Sequence, residues 1–175
     1  MRINGKGYIA SVIFLVVFAV VSLWKVKGNQ LLYQHNEGLI FGTVYHITYQ
    51  YSEDLQSEIN ALLKRFDKSL SPFNEESIIA AINRNDTAVR VDEYFKTVFS
   101  RSKEIYVASE GAFDPTVSPL INVWGFGFSK ADDITPFKID SLLQMVGMDK
   151  ISLLNGKVIK KDRRMTLNFS AIAKG

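Results

Sequence analysis

Hydrophobic and polar residues follow several distinct rhythms along this chain, and each rhythm predicts an element. An unbroken apolar run comes first: no residue from Gly7 to Trp24 is charged, and Ile, Val, Leu, Phe and Ala dominate it. A helix of that length spans about 27 Å at about 1.5 Å per residue, close to the thickness of a bilayer core. No face of it carries a polar stripe, which argues against a buried core helix. Lys25 and Lys27 follow directly, with Trp24 at the boundary, as in a retained signal anchor. Val20 and Ser22 make a weak cleavage site, so removal of the segment stays open as the alternative. Residues 1–27 are expected to be an amino-terminal transmembrane helix, 28–37 a polar linker, and 38–175 the folded domain.

From Leu39 to Tyr51 the rhythm changes to alternation. Tyr45, Ile47, Tyr49 and Tyr51 fall on one face and Val44, His46, Thr48 and Gln50 on the other, which predicts a half-buried strand with a bulge or close contact at Gly42. Leu55, Ile59, Leu62, Leu63 and Phe66 then recur at helical spacing, predicting an amphipathic helix over about 54–67. Leu70 to Asn74 reads as a turn, with Asn74 able to cap a short helix bearing Ile78, Ile79 and Ile82. A short strand over 88–91 leads to Asp92, a good cap for a long helix with Phe95, Val98, Phe99, Ile105 and Tyr106 on one face. A helix over 139–146 stops at Gly147. Asn155-Gly156, between two apolar runs at 151–154 and 157–160, is the strongest hairpin signal in the chain. A last strand is expected over 165–169.

Between the long helix and the helix at 139 lies the stretch Gly111 to Gly127, reading Gly-Ala-Phe-Asp-Pro-Thr-Val-Ser-Pro-Leu-Ile-Asn-Val-Trp-Gly-Phe-Gly. It is too apolar for a solvated surface and too punctuated by proline and glycine for one regular element, so a buried, shaped loop is expected. Pro115 restricts Asp114 to an extended backbone, which projects its carboxylate from a fixed stem, and Thr116 and Ser118 add hydroxyls nearby.

Composition narrows the function classes. With 175 residues, 47% of them hydrophobic, the chain can build one packed domain. Its net charge of +3 includes Arg2, Lys6, Lys25 and Lys27; removing these four from the 21 basic residues leaves 17 against 18 acidic, about −1. The domain therefore has no electrostatic footprint for nucleic acid. The absence of cysteine excludes disulfides and thiolate zinc sites. His35 and His46 stand far in sequence from the motifs, and solvated or satisfied histidines are expected there.

The central loop, together with Gly42-Thr43 and the terminal Ser170-Ala171-Ile172-Ala173-Lys174-Gly175, resembles the ApbE family of flavin transferases over about residues 38–175. The resemblance implies an α+β fold, with a T-fold-like mixed sheet and packed helices. It also implies an activity: with Mg2+, FMN is moved from FAD to a threonine hydroxyl of a target protein, and AMP is released. The domain would stand on the outer face of the cell membrane, since the family is typically exported. By the same resemblance, Ala112, Phe113 and Asp114 contact FAD, Ser170 holds it near the terminal turn, and the Ala173 carbonyl is a metal ligand. Phe41 takes the place of a methionine that packs on the flavin, and Phe73 that of an aromatic near FAD. Four of these also have a plainer reading: Phe41 as core, Phe73 as a hydrophobic staple, Asp114 as a turn former and Ser170 as a helix cap.

Asn168 departs from the family, which usually has an aspartate there, and so removes one negative charge near the expected metal. The histidine implicated in transfer and the further metal ligands are expected beyond Gly175, so the catalytic groups are unassigned and the 175 residues read as the amino-terminal part of a larger protein. A non-catalytic FAD-binding module on the same fold is the alternative.

Overall fold

A computed structural model of the chain describes residues 13–21, 32–126 and 133–172. Helix α1 is described over 13–21, where every residue is exposed. The rest of the expected anchor lies outside the described residues, and no helix among those described is long and apolar enough to cross a membrane. The order is then β1 (Tyr33–Ile40), β2 (Thr43–Gln50), α2 (Gln56–Leu70), α3 (Ile78–Asn83), α4 (Glu93–Ala108), α5 (Ser118–Val123), α6 (Pro136–Leu143), a 3-10 turn (Met148–Lys150), β3 (Ile151–Leu154) and β4 (Lys157–Lys160). This is an α+β chain. Its described strands form two separate two-stranded sheets, β1 with β2 and β3 with β4, in place of the expected mixed sheet.

β1 begins inside the stretch expected to be a linker. Phe41 and Gly42 form the two-residue turn into β2, with φ of 54° and 74°. Two positive values in succession are what a type I′ hairpin turn requires, so Gly42 is a turn residue and not a bulge. β1 carries no readable alternation because its shielded positions are Gln34, Asn36, Gly38 and Ile40, while Leu39 is exposed. β2 keeps the expected face, with Tyr45, Ile47 and Tyr49 half-buried. An added Cβ at Gly38 would lie 2.8 Å from the Tyr45 ring, so the ring needs the glycine beneath it.

The chain divides into two compact units, Met1–Glu37 with His46–Ser57, and Gly38–Tyr45 with Glu58–Gly175. In the first, Asp54 Oδ1 accepts from Asn36 Nδ2 at 2.8 Å and from the Gln56 amide at 2.9 Å. The Asn36 bond and then the Gln56 bond hold the Asp54 carboxyl below its usual range. His35 pairs with Thr48 and His46 with Glu37, as plain satisfied histidines.

The second unit holds the core, built on Ile79, Ile82, Phe95, Phe99, Met148, Ile151, Met165, Leu167 and Phe169. Phe95 is fully buried, 6.1 Å from the Phe99 ring and edge-on to Phe169 at 5.4 Å. α4 starts where Asp92 accepts from the Phe95 amide at 2.8 Å. It ends in a Schellman arrangement: Glu110, at φ 52°, donates to the Val107 carbonyl, and Gly111 donates to that of Tyr106. The cap of α3 is Ser77 and not Asn74. Ser77 Oγ accepts from the Ala80 amide at 3.1 Å, while Asn74 turns the chain by accepting from the Glu76 amide and donating to Asp67. Ser77→Ala is expected to destabilise the domain by about 1–2 kcal/mol, measurable by urea denaturation, and Asn74→Ala by less.

The Asn155-Gly156 hairpin forms as expected, pairing Leu154 with Lys157. Other expected elements differ, and the strand expected over 165–169 is absent among the described residues. Residues 88–91 are not a strand, although the Val91 amide donates to the Gly156 carbonyl at 2.9 Å. The helix expected over 139–146 starts earlier, at Pro136, because Thr135 caps it, and ends at Leu143. The central stretch is not wholly loop, since Pro119 sits in the first turn of the short helix α5.

Candidate flavin site

α4 delivers the chain at Gly111, and the next residues are folded by their own side chains. The Phe113 amide donates to Ser109 Oγ at 3.0 Å, which turns the chain back over the helix end. Asp114 Oδ1 then accepts twice from Thr116, from its amide at 2.8 Å and from its hydroxyl at 2.6 Å. Thr116 is fully buried, and its Oγ1 in turn accepts from the Gly147 amide at 2.7 Å. Asp114 is therefore the turn former of the plainer reading. A carboxylate still has a second oxygen, and Asp114 is only half-buried. Tyr106 lies beside this turn: partial burial first, then the charge and hydrogen bond of Asp149 and the charge of Asp114, push its phenol above the ordinary range.

The terminal segment meets the loop directly. The Asn168 amide donates to the Pro115 carbonyl at 2.8 Å, so the Asp114-Pro115 step and the chain leading into Ser170 are neighbours. Asn168 Oδ1 accepts from the Ser170 amide at 2.9 Å, closing a small turn that leaves Ser170 exposed. An aspartate there would supply the same acceptor, so this departure from the family keeps the turn and changes only its charge.

Among the expected site residues, Phe113 and Asp114 precede Pro115, whose carbonyl takes the amide of Asn168, two residues before Ser170, and Ala112 is exposed. Phe41 is half-buried at the β1–β2 turn, and Phe73 is 60% exposed on the turn between α2 and α3. Ala173 lies outside the described residues. Among those described, no group of three or more His, Asp or Glu side chains could hold a metal ion. The side chain the sequence reading missed is Asn83, which hydrogen-bonds both main-chain groups of Leu167. Its one signal is position: it falls four residues after Ile79, on the buried face of α3.

Two surface clefts lie elsewhere. One of about 730 Å3 is bounded by α4 and β3, at Phe99, Val107 and Leu153; the other, of about 530 Å3, by Ile82, Asp86, Lys157 and Lys160. Neither includes an expected site residue, and the chemistry of the loop weighs more than the size of a hollow.

The chain belongs to the ApbE family, whose model matches residues 41–175. It is 31% identical over 154 residues to the FAD:protein FMN transferase of Haemophilus influenzae, covering 79% of this chain and 44% of that protein. The Vibrio cholerae FAD:protein FMN transferase is 28% identical, with 81% of this chain and 45% of that protein covered. Among solved structures, the flavin transferase ApbE of Vibrio cholerae superposes with a TM-score of 0.73 at 27% identity, over 82% of this chain and 50% of that one. The apo flavinyl transferase ApbE of Pseudomonas stutzeri shares the fold, with a TM-score of 0.71 at 24% identity over 83% of this chain and 52% of that one. The chain spans about half the length of these relatives.

Proposed function

We propose that this chain is part of an FAD:protein FMN transferase, which moves FMN from FAD to a threonine hydroxyl of a target protein and releases AMP. The observation that carries the reading is the similarity to the FAD:protein FMN transferases of Haemophilus influenzae and Vibrio cholerae, and the Asn168-to-Pro115 hydrogen bond, which sets the Asp114-Pro115 step beside the chain leading to Ser170, is consistent with it. The threonine oxygen forms a bond to the FMN phosphorus, the bond to the AMP phosphate breaks, and the hydroxyl proton is lost to a base. The residues present here would bind and orient the dinucleotide: Asp114 through ribose or base hydroxyl and amino groups, Phe113 by packing on a ring, and Ser170 as a hydroxyl at the terminal turn. Phe41 and Phe73 would add apolar faces. Bound Mg2+, with the Ala173 carbonyl among its ligands, would offset charge on the phosphate oxygens.

Incubating the complete protein with FAD, Mg2+ and a threonine-bearing acceptor tests this. A fluorescent acceptor band on a denaturing gel is the expected result. Tight FAD binding with no labelled acceptor would favour a non-catalytic flavin-binding module, and no FAD-induced thermal stabilisation would refute both.

The uncharged apolar run from Gly7 to Trp24 supports a single-pass anchor, with the domain on the outer face of the cell membrane. Protease added outside intact cells should then digest the domain, and its full protection would oppose this placement.

A further inference from the structure

The segment from Met165 to Phe169 alternates in burial, with Met165, Leu167 and Phe169 buried, yet it belongs to no sheet among the described residues. Two side chains, one from α3 and one from the end of β4, meet main-chain groups of residues 165 and 167. Asn83, the last residue of α3, accepts from the Leu167 amide at 2.8 Å and donates to the Leu167 carbonyl at 2.9 Å. One side-chain amide thereby does what a facing strand residue does in an antiparallel pair. Lys160, the last residue of β4, donates from Nζ to the Met165 carbonyl at 2.8 Å and to the Ile82 carbonyl at 3.0 Å. Burial and then the nearby Arg163 push the Lys160 ammonium below its ordinary pKa, so the two carbonyls hold a charge that the surroundings disfavour. One residue after Leu167, the Asn168 amide reaches Pro115 and its side chain closes the turn on Ser170.

We infer that Asn83 and Lys160 are positioning residues for the flavin site: together they fix the backbone at 165–167, and through it the Asn168–Ser170 turn against the Asp114-Pro115 step. This rests on the flavin reading given above. A leucine at 83 cannot meet the amide and carbonyl of Leu167, which is 1% exposed, so those two groups would be left unpaired and the segment free to shift. Displacement of a binding group by about 1 Å, even from a distant change, can cost about a hundredfold in function.

The test uses the complete protein and the variants Asn83→Leu, Lys160→Met and Lys160→Arg, with FAD affinity and amide hydrogen exchange as readouts. Asn83→Leu and Lys160→Met are expected to weaken FAD binding about tenfold or more, with Lys160→Arg within about threefold of the parent. Exchange should rise at 167–170 while the core amides of α4 keep their protection. If the leucine variant does not fold, Asn83→Asp, which keeps the acceptor for the Leu167 amide, should shift both readouts in the same direction. Unchanged FAD affinity in Asn83→Leu and Lys160→Met would overturn the inference, as would a loss of affinity accompanied by equal loss of protection in α4. A parent protein that binds no FAD would refute the flavin reading alone, since the exchange pattern still decides whether these two side chains hold the turn.

Discussion

In the complete protein, Asp114→Ala is expected to weaken FAD binding by about tenfold to a hundredfold and to destabilise the domain by about 1–3 kcal/mol. Both effects have one origin. Asp114 Oδ1 is the acceptor for the Thr116 amide and hydroxyl, and Thr116 is fully buried, so truncation leaves two donors unmet where water does not reach. The Thr116 hydroxyl also holds the Gly147 amide, so the disturbance extends to the chain before β3. Asp114→Asn separates structure from ligand binding. It keeps an Oδ1 acceptor for Thr116 and removes the charge, so the urea midpoint should move little while FAD affinity falls about tenfold. Calorimetric titration with FAD, alongside denaturation of both variants, gives the comparison. Equal FAD affinity in parent and both variants would remove Asp114 from the site.

Phe95→Ala is expected to have the largest effect on stability, about 3–5 kcal/mol. Phe95 has no exposed surface, packs between the Phe99 and Phe169 rings, and follows the Asp92 cap that starts α4. Its loss opens a cavity beside the Phe99 and Phe169 rings. That is a large part of the roughly 5–15 kcal/mol that keeps a domain folded, so a leftward shift of the urea curve or outright failure to fold is expected. A loss below about 1 kcal/mol would mean that the core collapses around the gap.

The helices were legible because their burial follows one repeat. Phe95, Phe99 and Ser102 are the buried positions of α4, and Ile79 and Ile82 lie on the buried face of α3. The β3–β4 hairpin was legible for a different reason: Asn155 and Gly156 both take positive φ, which few residue pairs accept so readily. β1 was hidden because polar Gln34 and Asn36 occupy its shielded face, and Phe41 hid the turn because an aromatic rarely adopts φ 54°.

At the site, the sequence pattern identified Asp114 and Thr116 as a turn, and local chain geometry is enough to build it. It did not reveal Asn83, whose partner Leu167 is 84 residues away. No local rhythm encodes such a contact. Segment 165–169 misled because its alternation is real, but among the described residues it joins no sheet, and the Asn83 and Lys160 side chains meet main-chain groups of residues 165 and 167.

The most direct test is a crystal structure of the complete protein with FAD bound. FAD is expected within hydrogen-bonding distance of Asp114 and Ser170, with the Asn168-to-Pro115 bond intact beneath it. FAD bound at the cleft bounded by α4 and β3, with Asp114 and Ser170 untouched, would contradict the placement of the site.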